Sequence, residues 1–181
     1  MLVYAEEKKD FMLHVRDNRI SDMVADCMYR KLGRGVGKSE QRSWQVSLQY
    51  MRNILDDSDI PDNAGVAIEY NIPQSGKRID FLISGYDQHR SENVVIIEMK
   101  QWDKARATEM SDMVHVERMG NIPHPSYQAW SYKMLMQDYN TTIQDKQIGL
   151  HPCAYLHNYK ENKDSPVIQN ELYRGCLREA P

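Results

Sequence analysis

The sequence predicts an α/β protein with a mixed sheet of four or more strands and helices on both faces of the sheet. Four runs rich in β-branched and aromatic residues have strand length, at residues 66–71, 78–83, 94–100 and 147–155. Three longer stretches repeat apolar residues at helical spacing, at residues 20–32, 39–56 and 127–138. We expect one compact domain with an N-terminal arm, helix and linker at 1–38, a core at 39–157 and a C-terminal extension at 158–181.

The N-terminal part predicts a strand or buried arm followed by two helices. Residues 2–5 form the expected strand or arm, and residues 6–17 a short helix, because Phe11 and Val15 lie four residues apart. The helix at 20–32 is expected to end near Gly33. The run from Gly33 to Ser39 resembles a phosphate-binding loop, but the Walker pattern requires a glycine where Leu32 stands. The run also follows a helix rather than a strand, so we interpret it as a flexible linker.

The helix at 39–56 carries the first acidic candidate. Ser39 is the expected N-cap, and Glu40 lies in the first turn. Its apolar stripe consists of Trp44, Leu48, Met51 and Leu55. Two interpretations of Glu40 remain open: it interacts with the helix dipole, or it reaches a metal ion directly or through an intervening group.

Two central strands carry the most informative residues. Side chains alternate along a strand, so Glu98 and Lys100 share one face of the run at 94–100. If this run and 78–83 form an antiparallel hairpin that folds about His89, Asp80 lies opposite Glu98. Glu69, on the preceding strand, either contacts this cluster or faces solvent.

Two acids and a lysine on one face are the groups that phosphodiester hydrolysis requires. Carboxylate oxygens are ligands for Mg²⁺, which polarises a phosphoryl group and lowers the pKa of a bound water. A neighbouring lysine orients the attacking water and stabilises charge on the phosphate. The pattern of an aspartate followed by Glu-x-Lys is short, however, and the ends of strands are often polar without any catalytic role.

The second half of the sequence adds a second polar pair. Residues 101–108 are expected to be helical or loop-like, 113–119 an added strand, and 121–125 a break. Ser126 is the expected cap of the helix at 127–138, where Gln128 and Tyr132 lie on one face. After the strand at 147–155, a short helix is expected near 169–179.

Composition excludes several classes of protein. A net charge of −3 argues against a globally basic protein that coats nucleic acid. The three cysteines have no CxxC spacing, so the sequence indicates neither a disulfide framework nor a zinc site. The sequence contains no apolar run of membrane-spanning length and no signal-peptide pattern, so we expect a cytoplasmic protein without a membrane partner.

The order of these elements resembles the PD-(D/E)XK nuclease superfamily, and the QxxxY pattern at Gln128 and Tyr132 resembles its RecB-like and lambda-exonuclease-like branch. Five stretches together resemble the N-terminal domain of bacterial Schlafen-group-3-like nuclease–helicase proteins: SEQRSWQVSLQYM, VAIEYNIP, KRIDFLISG, VVIIEMKQW and HPSYQAWSY. The likeness spans roughly residues 40–156, with a weaker echo at 170–181. One departure is Ile79, which stands where the superfamily's strict motif has proline. The resemblance implies a restriction-endonuclease-like αβββαβ core at 39–157.

The resemblance also implies a role for individual residues. Asp80 and Glu98 correspond to the metal-binding acids, with the Met99 carbonyl completing the coordination, and Lys100 positions or activates the water. Glu40 matches the glutamate of the first core helix, as a catalytic residue and metal ligand. Gln128 and Tyr132 match the pair that contacts the metal site or the DNA backbone. By charge and proximity, the nucleic-acid-binding candidates are Lys38, Arg42, Arg78 and Lys104. His124 is a further candidate, although a His-Pro pair before a helix is equally a turn device.

The predicted function is hydrolysis of phosphodiester bonds in DNA with Mg²⁺ or Mn²⁺, in phage defence or DNA processing. The expected partners are DNA and a helicase domain or subunit, and the resemblance also allows a homo-oligomer. The alternative is a non-catalytic module that binds nucleic acid or docks a helicase and whose nuclease site has decayed. DNA versus RNA preference, endo- versus exonuclease action and polarity remain open.

Overall fold

The computed structural model describes residues 1–181, and it is an α/β structure with a mixed five-stranded sheet and six α-helices. The larger sheet has the strand order β1-β2-β3-β4-β8, with β1 at Leu2–Glu7, β2 at Gly65–Asn71, β3 at Arg78–Tyr86, β4 at Glu92–Lys100 and β8 at Gly149–Leu156. A second sheet has the order β5-β6-β7, with strands at Ala105–Ala107, Met113–Val116 and Gly120–Pro123. The prediction of an α/β fold is therefore confirmed.

The helices are α1 at Lys8–Arg16, α2 at Ile20–Leu32, α3 at Lys38–Leu55, α4 at Pro125–Tyr139, α5 at Thr141–Lys146 and α6 at Arg174–Glu179, with a 3-10 turn at Glu171–Tyr173. The chain divides into two compact units, Met1–Val94 and Val95–Pro181. No helix has the length and apolar character needed to cross a bilayer.

The first unit contains β1, β2 and β3 as an antiparallel ladder with helices α1 to α3. Helices α1 and α2 pack against β1, and α3 packs against both of these helices. The stripe predicted on α3 is buried as expected, from Trp44 to Leu55. Phe11 of α1 meets Phe81 of β3 edge to face, with ring centroids 5.4 Å apart. These contacts remove the apolar faces of the helices from water.

The second unit contains the three-stranded antiparallel sheet β5-β6-β7, and α4 packs against β8 and α6. Val114 and Val116 of β6 are buried together with Val167 and Tyr173. Strand β5 lies where the sequence predicted a helix or a loop, and strand β7 lies where it predicted a break in the chain. Helix α5 lies in a stretch for which the sequence predicted no element.

The predicted helix boundaries are corrected at two N-termini. Helix α3 begins at Lys38, and its N-cap is Gly37 rather than Ser39. Helix α4 begins at Pro125, and its N-cap is His124 rather than Ser126. Proline at the first helical position has no N–H that needs a partner, which explains why the helix begins there. Helix α2 ends as predicted, with Gly33 in the left-handed conformation at φ 63°.

Candidate active site

Two of the predicted motifs meet in the second unit. Lys100 Nζ lies 2.6 Å from Glu98 Oε1, so the two side chains of β4 that share a face form an ion pair. The same ammonium donates to Gln128 Oε1 at 3.2 Å, although Gln128 is 28 residues away along the chain. Gln128 Nε2 in turn donates to the Tyr132 hydroxyl at 2.6 Å. We call Glu98, Lys100, Gln128 and Tyr132 the lysine relay.

Burial makes the lysine relay sensitive to charge. Glu98 is 2% exposed and Tyr132 is 3% exposed. Removing a carboxylate from water carries a large cost unless a cation and hydrogen bonds compensate it. Lys100 provides that compensation, and its side chain keeps 18% exposure.

Helix α4 positions the amide and hydroxyl of the lysine relay. Its N-terminus is fixed by His124, whose Nδ1 accepts from the backbone N–H of Ser126 at 3.2 Å. Gln128 follows one turn later and Tyr132 one turn after that, so both project from the same face. The resulting Gln128–Tyr132 hydrogen bond holds the amide with its oxygen toward Lys100.

The first unit contains a separate set of alternating charges. Arg78 of β3 forms ion pairs with Glu69 through Nε and with Glu40 through Nη2, the latter at 2.9 Å. Arg34 also approaches Glu40, at 3.2 Å. We call Arg34, Glu40, Glu69 and Arg78 the arginine cluster. Both carboxylates are therefore held by guanidinium groups, which bind carboxylates through several directed donors.

Glu69 is the residue of the arginine cluster that the sequence left undecided. It is 2% exposed and accepts a hydrogen bond from Trp44 Nε1 at 2.6 Å. Burial raises the pKa of Glu69 to about 7; Arg78 and the Trp44 hydrogen bond oppose this rise, whereas the charges of Asp80 and Glu40 add to it. The side chain therefore belongs to a buried charged network and does not face solvent.

The backbone of Glu69 is also unusual, because φ is 59° within a strand. The ladder pairs Ile68 and Tyr70 with both neighbouring strands and skips Glu69. The left-handed conformation is uncommon for residues other than glycine, asparagine and aspartate. Ion pairing and the indole hydrogen bond hold the carboxylate in place despite this conformation.

The remaining predicted residues lie in varied environments. Asp80 is half-buried on β3, where its charge acts on Glu69, and Met99 is half-buried on β4. The opposition of Asp80 and Glu98 and the metal-binding role of the Met99 carbonyl stay predictions.

The predicted nucleic-acid contacts also differ in exposure. Arg78 is engaged by two carboxylates, and His124 is 2% exposed, so its imidazole caps α4 and has no surface to offer a nucleic acid. Lys38 and Arg42 are exposed around a depression of about 300 Å³ on the first unit. Lys104 is exposed on the second unit.

The donor set fits a hard divalent cation only in part. No group of three or more His, Cys, Asp or Glu side chains is gathered in a metal-binding arrangement. Mg²⁺ keeps several of its waters and often takes only one or two protein carboxylates, so a buried acid such as Glu98 suits it. The three cysteines are free thiols.

The sequence analysis missed one contributor, Trp44, and left a second, Glu69, undecided. Trp44 was predicted only as part of the apolar stripe of α3. The signal for its second role is its spacing, because Trp44 lies four residues after Glu40 and therefore on the same side of the helix. For Glu69, the sequence pattern gave no signal of a left-handed backbone.

The fold and these two clusters define an α/β protein in which two buried carboxylates are paired with partly exposed cations. Comparison with protein-family models, with curated proteins and with solved structures finds no significant match. The resemblance to the PD-(D/E)XK superfamily therefore stays a prediction from the motifs.

Proposed function

We propose that this protein is a metal-dependent nuclease that hydrolyses phosphodiester bonds in DNA. The observation that supports the proposal most is the lysine relay. Glu-x-Lys and Gln-x-x-x-Tyr are far apart in sequence, and Lys100 makes hydrogen-bond contacts with both Glu98 and Gln128. A simple ion pair at the end of a strand does not require an amide and a hydroxyl from a separate helix.

Lys100 suits a role in positioning a nucleophile. An ammonium group has three donors, and Glu98 and Gln128 take two of them. The third donor is available for a water molecule or a phosphate oxygen. Because the Gln128 amide is fixed by Tyr132, the ammonium is held in place before a substrate binds, which reduces the entropy lost in reaching the reactive geometry.

Glu98 is the metal ligand that we propose in this unit, with Asp80 and the Met99 carbonyl as the other predicted ligands. Mg²⁺ or Mn²⁺, when bound, supplies a Lewis acid for the phosphoryl group and lowers the pKa of a coordinated water. Lys100 orients the attacking water and stabilises negative charge on the phosphate. Glu40 is assigned a supporting role, because its two oxygens are already engaged by Arg34 and Arg78.

Cleavage assays test this proposal directly. End-labelled single- and double-stranded DNA and supercoiled plasmid are incubated with the protein and Mg²⁺ or Mn²⁺, with labelled RNA as a comparison. We expect Lys100→Ala and Glu98→Gln to lower the cleavage rate by on the order of 100-fold or more. Asp80→Ala tests the second predicted ligand in the same assay. Lys163→Ala and Glu109→Gln change exposed residues of the same types and serve as controls.

The alternative functions give different results. A wild-type protein that binds DNA without divalent metal and never cleaves it is a binding module, and our proposal is then wrong. Equal rates for wild type and Lys100→Ala refute the role of the lysine relay even if cleavage occurs. Phage defence and DNA processing are the cellular settings that we propose for the nuclease, with a helicase as its partner.

A further inference from the structure

The three-stranded sheet of the second unit has one buried and one open face. The buried face carries Val114 and Val116, which pack in the core with Ala105 and Tyr173. Side chains alternate along each strand, so Arg106 and His115 project from the opposite face, where they are paired across β5 and β6. His115 is in turn paired with Asn121 on β7, and its Nδ1 lies 2.9 Å from Asn121 Oδ1. The open face is thus a row of polar side chains.

A groove runs beside this open face. A cavity of about 800 Å³ is lined by Gln101, Asp103, Lys104, Ala105, Asn158, Lys160 and Asn162. A second cavity of about 310 Å³ shares Lys104, Ala105 and Asn162 with the first and extends to Arg106, His115 and Glu117. Because three residues line both cavities, we treat them as one continuous surface and call it the amide groove. It begins at Gln101, the residue that directly follows Lys100 of the lysine relay.

Cations and amides dominate the lining of the amide groove. Lys104, Arg106 and Lys160 are all exposed, and none of them takes part in an ion pair. Asp103 and Glu117 are the two acids. By contrast, two other exposed arginines of this unit, Arg174 and Arg178, are paired with carboxylates. In a protein with a net charge of −3, three unpaired cations in one groove form a local positive site.

The walls of the groove are fixed by hydrogen bonds and packing. Asn158 Nδ2 donates to the Gln101 carbonyl at 2.9 Å and ties two segments of the lining together. Behind them, Trp102 and Tyr159 meet edge to face with centroids 5.2 Å apart, and both pack against the core of this unit. The groove is therefore present without a ligand, which lowers the entropy cost of binding.

We propose that the amide groove binds the phosphodiester backbone of single-stranded nucleic acid and that the bound strand leads toward Lys100. The first part stands on the groove itself, and the second rests on the proposed nuclease function. Ammonium and guanidinium groups contact phosphate oxygens, and amides donate to phosphate and sugar. The two cavities share three lining residues and so make one track, and one track fits one backbone rather than the two backbones of a duplex.

Equilibrium binding in the absence of metal tests the groove independently of cleavage. The probe is a fluorescein-labelled DNA single strand of roughly 16 nucleotides and mixed sequence, with EDTA present and fluorescence anisotropy as the readout. The test variant combines Lys104→Gln, Arg106→Gln and Lys160→Gln. The control combines Arg19→Gln, Lys77→Gln and Arg90→Gln, which removes the same charge from exposed and unpaired positions in the first unit. Thermal unfolding checks that each variant is folded.

We expect the test variant to bind the single strand on the order of 10-fold more weakly than wild type. The slope of log K against log salt should also become less negative by about 2, because each of the three lost phosphate contacts on a single strand contributes about −0.7 to it. The control variant should bind as the wild type does. A Glu117→Gln variant should bind more tightly than wild type, since it removes a repulsive charge from the groove, and this gain does not arise from misfolding.

Three results overturn the proposal: no binding by the wild type, equal binding by the wild type and the test variant, or an equal loss in the control variant. Tighter binding of duplex than of single strand also contradicts the assignment. Glu98→Gln separates the two proposals, because it should lower the cleavage rate by on the order of 100-fold or more and leave binding to the groove intact. If the wild type binds through the groove but never cleaves, the groove stands and the nuclease function fails.

Discussion

The histidine that caps α4 should make the stability of this protein depend on pH. His124 is 2% exposed, its Nδ1 accepts the Ser126 N–H, and its ring lies 4.7 Å from the ring of Tyr173. Burial lowers the pKa of His124 from 6.5 to about 4, with the backbone of Val167 and the charge of Glu161 opposing the shift. The neutral imidazole is therefore the native form. Protonation removes the acceptor of the cap and places a positive charge at a helix N-terminus, where the dipole disfavours it.

The sign of the effect follows from proton binding. Between pH 6.5 and about 4 the unfolded chain takes up a proton on His124 that the folded protein does not, so the contribution of His124 to stability falls as the pH is lowered. Each pH unit across this window contributes about 1.36 kcal/mol, and the full loss is roughly 3 kcal/mol. This contribution is complete above pH 6.5 and is lost progressively on acidification.

Urea unfolding of wild type and His124→Asn from about pH 7.5 to about pH 4 measures this loss. Asparagine is a good N-cap and does not titrate, but it loses the packing against Tyr173, so we expect it to be less stable than wild type at neutral pH. The difference in free energy of unfolding between wild type and His124→Asn should shrink by roughly 3 kcal/mol on acidification. His89→Asn, at an exposed position, should follow wild type throughout. Parallel curves for wild type and His124→Asn would refute the reasoning.

Three further substitutions test the two clusters. Tyr132→Phe removes the hydroxyl that accepts a hydrogen bond from Gln128, so it should lower the free energy of unfolding in urea by about 1 kcal/mol. Under the proposed function it should also lower kcat while KM stays constant, and a change in KM alone would contradict the role of the lysine relay. Trp44→Phe removes the donor to Glu69 and should destabilise by roughly 1.5–3 kcal/mol, whereas Trp130→Phe is the control and should cost less. Glu69→Gln abolishes a titration: because the pKa of Glu69 is raised from 4.5 to about 7, the contribution of this carboxyl to stability falls as the pH rises through this window, opposite in sign to the contribution of His124. The glutamine variant should therefore gain roughly 3 kcal/mol relative to wild type between these pH values, and a constant difference would count against a buried, titrating Glu69.

The long elements of this fold were predictable because their patterns are local. The stripe on α3 and the strand runs that became β2, β3 and β4 each repeat apolar residues with one clear period. The short elements were not predictable in this way. Strand β5 is only Ala105–Ala107, with two alanines, and it is a strand because β6 supplies its hydrogen-bond partners. Propensity alone does not reveal such pairing.

In the two clusters, too, the residues with a local sequence pattern were predicted and those that depend on contacts between elements were not. The residues of the lysine relay were found because each pair follows a fixed spacing on a single element, and the distances of Lys100 to Glu98 and Gln128 agree with that interpretation. Glu69 was left open because its environment depends on Trp44 and Arg78, which belong to other elements. The serine caps were wrong because α3 and α4 begin earlier than predicted, so that Gly37 and His124 occupy the N-cap positions.

The left-handed backbone at Glu69 has a consequence for how this sequence tolerates change. A non-glycine residue in that conformation costs on the order of 1–3 kcal/mol, and glycine or asparagine avoids most of it. A small residue at this position would relieve that strain, but it would also leave the Arg78 guanidinium and the Trp44 indole without their carboxylate partner. The strained backbone and the buried carboxylate are therefore expected to be exchanged together with Arg78 and Trp44 or not at all.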